Sequence, residues 1–138
     1  MSHRQLSAAA LEVSFGARTV LRGADLVILC SPVGTYAAIA AEIAPHLKAG
    51  TVLTDVGSVK AAVIHDVAPH VPPGVHFVPG HPIAGTEKSG PESGFAELFD
   101  NRWCILTPLA GVDPVAVKRL ANFWRGLGSN VEFMEAGH

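Results

Sequence analysis

The residues able to do chemistry gather in two polar turns. Gly80-His81-Pro82-Ile83-Ala84-Gly85-Thr86-Glu87-Lys88-Ser89-Gly90-Pro91 sets one histidine in a glycine-rich stretch, and Thr54-Asp55-Val56-Gly57-Ser58-Val59-Lys60 leads from an apolar run into a helical pattern. An imidazole has an ordinary pKa of about 6.5 and takes up a proton near neutral pH, which makes His81 the leading general base. Gly80 and Pro82 on either side hold the backbone in an unusual path and keep the ring in a loop rather than a helix. Ser58 is placed to hydrogen-bond that ring or a substrate hydroxyl, and the helix N-terminus it opens favours anionic or electron-rich groups. Glu87 and Lys88 add one charge of each sign.

Two other chemistries compete for the same residues. Asp55, Ser58 and His81 invite a hydrolase with Ser58 as nucleophile, yet Val56-Gly57-Ser58-Val59-Lys60 lacks the flanking glycines of a Gly-x-Ser-x-Gly elbow. His76 with His81 hints at a metal, but no third ligand follows at helical or strand spacing, so no metal is expected. A histidine alone in a loop is also commonly structural.

The elements that must position these turns follow from periodicity. Ala24 to Cys30 is a continuous apolar run closed by Ser31-Pro32-Val33-Gly34, as in a parallel strand covered on both faces. Tyr36 to Leu47 reads as a helix with Ile39, Ile43 and Leu47 on one stripe, closed by Lys48-Ala49-Gly50. Thr51 to Val56 is the next strand, after which Ser58 caps a helix running through His70 with Val59, Val63 and Val67 inward. Pro72-Pro73-Gly74 turns the chain into a strand over Val75 to Pro79, which delivers the histidine. Pro91 opens a helix to about Phe99, Arg102 to Thr107 is a strand, and Asp113-Pro114 starts a helix with Val117, Leu120, Ala121 and Trp124 inward. Gly126 to Gly128 ends it, Asn130 to Met134 is a final strand, and no internal repeat is evident.

This alternation predicts an α/β fold, an incomplete doubly wound, Rossmann-like, mostly parallel sheet with helices on both faces. Ligands of such sheets bind beyond the carboxyl ends of the strands, and Ser31, Asp55 and His81 follow three such ends. The 138 residues, 49% hydrophobic and 16% charged, suit a single partial domain. A net charge of −2 and no Lys/Arg cluster argue against nucleic acid. No apolar run approaches the roughly 20 residues of a membrane span and no signal-peptide core is present, which places the chain in the cytoplasm. Cys30 and Cys104 are expected in buried strands as small hydrophobes.

The dinucleotide fingerprint Gly-x-Gly-x-x-Gly is missing, and Met1 to Gly23 leaves little room for a βαβ unit of roughly 30 residues. The strand at Leu26 to Cys30 is then expected to expose an apolar edge, inviting self-association as a homo-oligomer. Leu11-Glu12-Val13-Ser14-Phe15 alternates with period two and could cover that edge, or belong to a fraying helix.

Asp55-Val56-Gly57-Ser58-Val59-Lys60 followed by Gly80 to Pro91 resembles the prephenate dehydrogenase family, which includes arogenate and cyclohexadienyl dehydrogenases. Ala24 to Val33 and Trp103 to Pro108 are similar to its strands, so the likeness runs from about Arg22 to the C-terminus. The resemblance implies oxidative decarboxylation of prephenate or arogenate with hydride transfer to NAD or NADP, in tyrosine biosynthesis. By it, His81 draws on the C4 hydroxyl proton as hydride leaves C4, and Ser58 orients the histidine or the hydroxyl. Thr86 and Glu87 line the substrate side, while Ser31, Pro32 and Val33 with Asp55 and Gly57 flank the cofactor. It also implies that the first βαβ unit and a helical C-terminal domain are absent, so the chain alone is expected to bind cofactor poorly and turn over slowly. A non-catalytic remnant or interaction subunit is the alternative.

Overall fold

A computed structural model describes residues 18–84 and 94–135. After a short helix α1 (Arg18–Gly23), the apolar run forms β1 (Leu26–Leu29), whose pleat sends Val27 and Leu29 to one layer of helices and Leu26 and Ile28 to the other. Strand β2 (Val52–Asp55) is fully buried and pairs parallel with β1, Leu26 opposite Val52 and Leu29 opposite Asp55. Burial on both faces is why these strands read as unbroken apolar runs rather than alternating ones.

Between them, α2 (Tyr36–Ile43) buries Tyr36, Ala40 and Ile43, and α3 (Lys60–Val67) buries Val63 and Val67 against the same face. The Tyr36 hydroxyl donates to the Leu29 carbonyl at 3.0 Å, which satisfies the end of β1 and fixes the entry to α2. The strand therefore stops at Leu29, and Cys30, expected inside it, is exposed.

Although no internal repeat is evident in the sequence, the two helices end alike. Both α2 and α3 run into a single 3-10 turn of Ala-Pro-His, Ala44–His46 and Ala68–His70. Proline has no N–H for the helical ladder. At the same spacing beyond each turn, Gly50 (φ +91°) and Gly74 (φ +84°) reverse the chain into the next strand, and the Gly50 N–H donates to the Gly74 carbonyl at 2.8 Å.

The third strand, β3 (His76–Phe77), continues the parallel ladder beside β2, and the Val78 N–H extends it to the Leu53 carbonyl at 2.9 Å. Pro79 cannot donate, and there the segment changes partner. It becomes β4 (Gly80–Pro82), antiparallel to β5 (Trp103–Leu106), which pairs in parallel with β6 (Asn130–Phe133). The result is two three-stranded ladders joined through one continuous segment, in a mostly parallel, Rossmann-like arrangement with helices on both faces. Among the described residues no strand lies on the outer edge of β1, and the stretch from Leu11 to Phe15 falls outside them.

The opposite face is covered by α4 (Pro114–Gly126), which buries Ala116, Leu120, Ala121 and Trp124 over Leu26, Val52, Val78 and Leu106. Asp113 caps it, its carboxylate accepting from the Val115 N–H at 2.9 Å, with Pro114 in the first turn. The helix expected from Pro91 to Phe99 does not form over its described part, Gly94 onward. There the chain turns through bonds from Leu98 N–H to the Phe95 carbonyl and from Asp100 N–H to the Glu97 carbonyl. Phe99, edge-on to Trp124 at 5.2 Å, draws this segment onto α4.

Truncating the wholly buried Leu120 to alanine should cost about 3 kcal/mol of stability. Asp113→Ala, which removes only the cap, should cost about 1 kcal/mol. Urea unfolding of the two variants beside the parent chain checks the ordering.

Candidate functional site

The carboxyl ends of β1 and β2 and the start of β4 meet at one edge of the sheet, and Asp55 organises them. Its side chain is fully buried. One carboxylate oxygen accepts from the Gly57 N–H at 2.8 Å and from the Lys60 ammonium, and the other accepts from the Gly80 N–H at 3.1 Å. Lys60 also donates to the Gly80 carbonyl and is itself 9% exposed. Burial lowers the lysine's pKa, opposed by the hydrogen bond and charge of Asp55.

The bond from Gly57 back to Asp55 is an Asx-type turn, and it sets the exit from β2. That turn, rather than a serine cap, leads into α3. Val59 occupies the cap position without a side-chain bond, and Ser58 is exposed. The expected cap fails because the carboxylate two residues before Gly57 takes over the turn. No hydrogen bond joins Ser58 to His81 among the described residues.

His81 lies on β4 opposite Ile105 of β5, so it sits on a strand where a loop was expected. Its ring is half-buried. Burial pushes its pKa down, the Lys60 charge pushes it further down, and the Asp55 charge opposes both, so the net shift favours the neutral imidazole. His76, by contrast, pairs with Val52 at the far end of β2 from Asp55.

The turn after β1 borders the same edge. The Thr35 hydroxyl donates to the Pro32 carbonyl at 2.6 Å and lies 2.9 Å from the Ser31 hydroxyl. A Cβ on Gly57 would sit 3.0 Å from a Val33 methyl, 3.1 Å from the Asp55 carboxylate and 3.2 Å from a Val63 methyl. Glycine is thus what lets the turns at 31–33 and 55–57 touch. Gly80 is similarly confined, its added Cβ falling 3.1 Å from the Asp55 carbonyl and 3.2 Å from the Thr54 hydroxyl.

The structure brings together Ser31, Pro32, Val33, Asp55, Gly57 and His81, leaves Ser58 outward beside them, and does not describe Thr86 or Glu87. Sequence reasoning quoted Lys60 but gave it no part. The signal was its position in the first turn of a helix, where the macrodipole disfavours a cation and calls for a partner elsewhere. Both Asp55 oxygens being filled by Gly57, Lys60 and Gly80, the carboxylate does not orient a histidine as a hydrolase triad requires.

A half-buried histidine beside the strand-end turns of a mostly parallel α/β sheet lies at the edge where ligands of doubly wound folds bind. The family model described as prephenate dehydrogenase, nucleotide-binding domain, matches residues 2–133, and the chain belongs to that family. It is 43% identical over 118 residues to the cyclohexadienyl dehydrogenase of Zymomonas mobilis, covering 86% of this chain and 40% of that protein. The crystal structure of prephenate dehydrogenase from Aquifex aeolicus superposes with a TM-score of 0.81 at 32% identity, covering 99% of this chain and 50% of that one. A structure of the Aquifex aeolicus enzyme in complex with hydroxyphenyl propionate and NAD+ gives a TM-score of 0.79 at 31% identity, over 99% of this chain and 49% of that one. The chain thus spans half or less of the length of these relatives. Among the described residues, no helix is long and apolar enough to cross a membrane.

Gly80→Ala should destabilise the chain by about 1–3 kcal/mol, because backbone and a buried hydroxyl lie in the way. Gly34→Ala, with open space around it, should stay within about 0.5 kcal/mol. Thermal or urea unfolding separates the two. His81 also links stability to pH. With its folded pKa below the unfolded value, the unfolded chain binds the extra proton as pH falls below about 6.5, so stability drops on acidification. The loss of unfolding free energy between about pH 7.5 and about pH 5.5 should be smaller in His81→Asn than in the parent.

Proposed function

We propose that the chain is the nucleotide-binding part of an oxidoreductase that oxidatively decarboxylates prephenate or arogenate, with NAD or NADP as hydride acceptor. The observation that carries this is the half-buried His81, its neutral form favoured by burial and Lys60, beside the joined turns at 31–33 and 55–57 at the carboxyl edge of the sheet. Membership of the family supports the substrate class.

The residues present fit one flank of a dinucleotide. Ser31, Pro32 and Val33 offer an open turn with hydroxyls, and the space beside Gly34 is free. Asp55 and Gly57 contribute the adjoining turn through their backbone, since the carboxylate is turned inward. The nicotinamide, when bound, takes the hydride. His81 accepts the proton of the substrate's ring hydroxyl, and a neutral imidazole at working pH is what that role needs. Ser58, exposed at the same edge, is assigned to hold that hydroxyl, and the family resemblance assigns Thr86 and Glu87, outside the described residues, to line the substrate. Loss of carboxylate aromatises the ring and drives the reaction, so the protein's task is position and proton handling. A cytoplasmic location and a homo-oligomer go with this reading.

Titration of the purified chain with NAD and NADP, followed by amide chemical shifts, tests it. Perturbations centred on residues 31–33 and 55–58, with about millimolar or tighter affinity, are expected. Oligomers blind to both nucleotides would point to a non-catalytic interaction subunit. Where turnover of prephenate or arogenate is measurable, His81→Asn should lower kcat by about 100-fold or more.

A further inference from the structure

We propose that Lys60 is a positioning residue for His81, its ammonium bridging the Asp55 carboxylate to the Gly80 carbonyl and so fixing the backbone from which the imidazole projects. The inference rests on the reading of His81 as proton acceptor.

The geometry carries it. Lys60 begins α3, Asp55 ends β2, and Gly80 begins β4, so three separate elements converge on one buried ion pair. Gly80 is held from both sides of its own residue. Its N–H donates to Asp55 at 3.1 Å and its carbonyl accepts from Lys60. The next residue is His81. With the amide and carbonyl of Gly80 both tied, the peptide that carries the histidine has little freedom to rotate. On its other side β4 is tied to β5, with the Ile83 N–H donating to the Trp103 carbonyl at 2.7 Å.

A buried pair of this kind is weak evidence for stability, because desolvation offsets much of the attraction. Well-packed apolar residues would serve folding equally well. A lysine here does something a leucine cannot: it places a positive charge near the imidazole while holding the adjoining carbonyl. Among the described residues, the titratable groups around His81 are Lys60 on α3, Asp55 on β2, Cys104 on β5 and Glu132 on β6 across from Ile105. Burial raises the Cys104 thiol to about 12, so it is uncharged. The lysine pushes the histidine toward its neutral form and the aspartate opposes it.

The test is the His81 titration midpoint, read from imidazole resonances of the 138-residue chain, in Lys60→Met, Asp55→Asn and the Asp55→Asn/Lys60→Met double variant. The double variant keeps an amide oxygen to accept from one of the Gly57 and Gly80 N–H groups and leaves no unpaired buried charge, so it decides the matter if either single variant fails to fold. The expected result is an upward midpoint shift in Lys60→Met, a downward one in Asp55→Asn, and an upward one in the double variant, with the Gly80, His81 and Ile83 amide resonances displaced. A folded double variant whose His81 midpoint and neighbouring amides match the parent would overturn the proposal. Where turnover is measurable, Lys60→Met should lower kcat on the order of 100-fold with KM little changed, and Lys60→Arg should recover part of it. A parent chain that binds no nucleotide would sink the dehydrogenase reading while leaving the titration result to judge the positioning role.

Discussion

The buried carboxylate of Asp55 is the constraint on which the rest of the site depends. A charged oxygen pair taken out of water must be matched almost completely, and here two backbone amides and one ammonium do so. Because those donors come from the β2 exit, from α3 and from β4, satisfying the charge also fixes how the three elements meet. The ladder hydrogen bonds of the sheet set the strands side by side, but among the described residues the two ladders share only the segment from His76 to Pro82. Asp55 adds a second tie between them at the edge where ligands of such folds bind.

The same arrangement explains why glycine is needed where it is. Gly57 and Gly80 both donate to the carboxylate, and both sit where a methyl group would meet atoms already in contact. Their value is close approach rather than flexibility. The relation to the prephenate dehydrogenase family is consistent with this, since the motif that carried the resemblance contains the aspartate, both glycines, the lysine and the histidine.

Much of the fold was legible in the sequence because its signals are local. The apolar runs at β1 and β2, the Asp-Pro opening of α4 and the proline-glycine turns each declare themselves within a few residues. What escaped was decided at a distance. Ser58 looks like a cap until a buried carboxylate claims the turn before it. Pro91 to Phe99 reads as helical until, in its described part, Phe99 is found edge-on to Trp124. Cys30 looks like part of a strand that Tyr36 ends one residue earlier. Topology alone brought the two polar turns to one edge of the sheet, yet Lys60, which bonds to both, was invisible as their link because its second partner, the Gly80 carbonyl, lies 20 residues away.

The change of partner at Pro79 has a consequence for how this chain can vary. Phe77 faces α2 and α3, Val78 faces α4, and the pleat carries that alternation through to His81, which shares its side with Ile105 while Gly80 lies against Leu106. The side on which the imidazole emerges is therefore a matter of parity. Deleting or inserting one residue between Phe77 and His81 would turn the ring toward α4 and into the packed core. The length of this short segment is as strictly constrained as the identity of the residue it delivers.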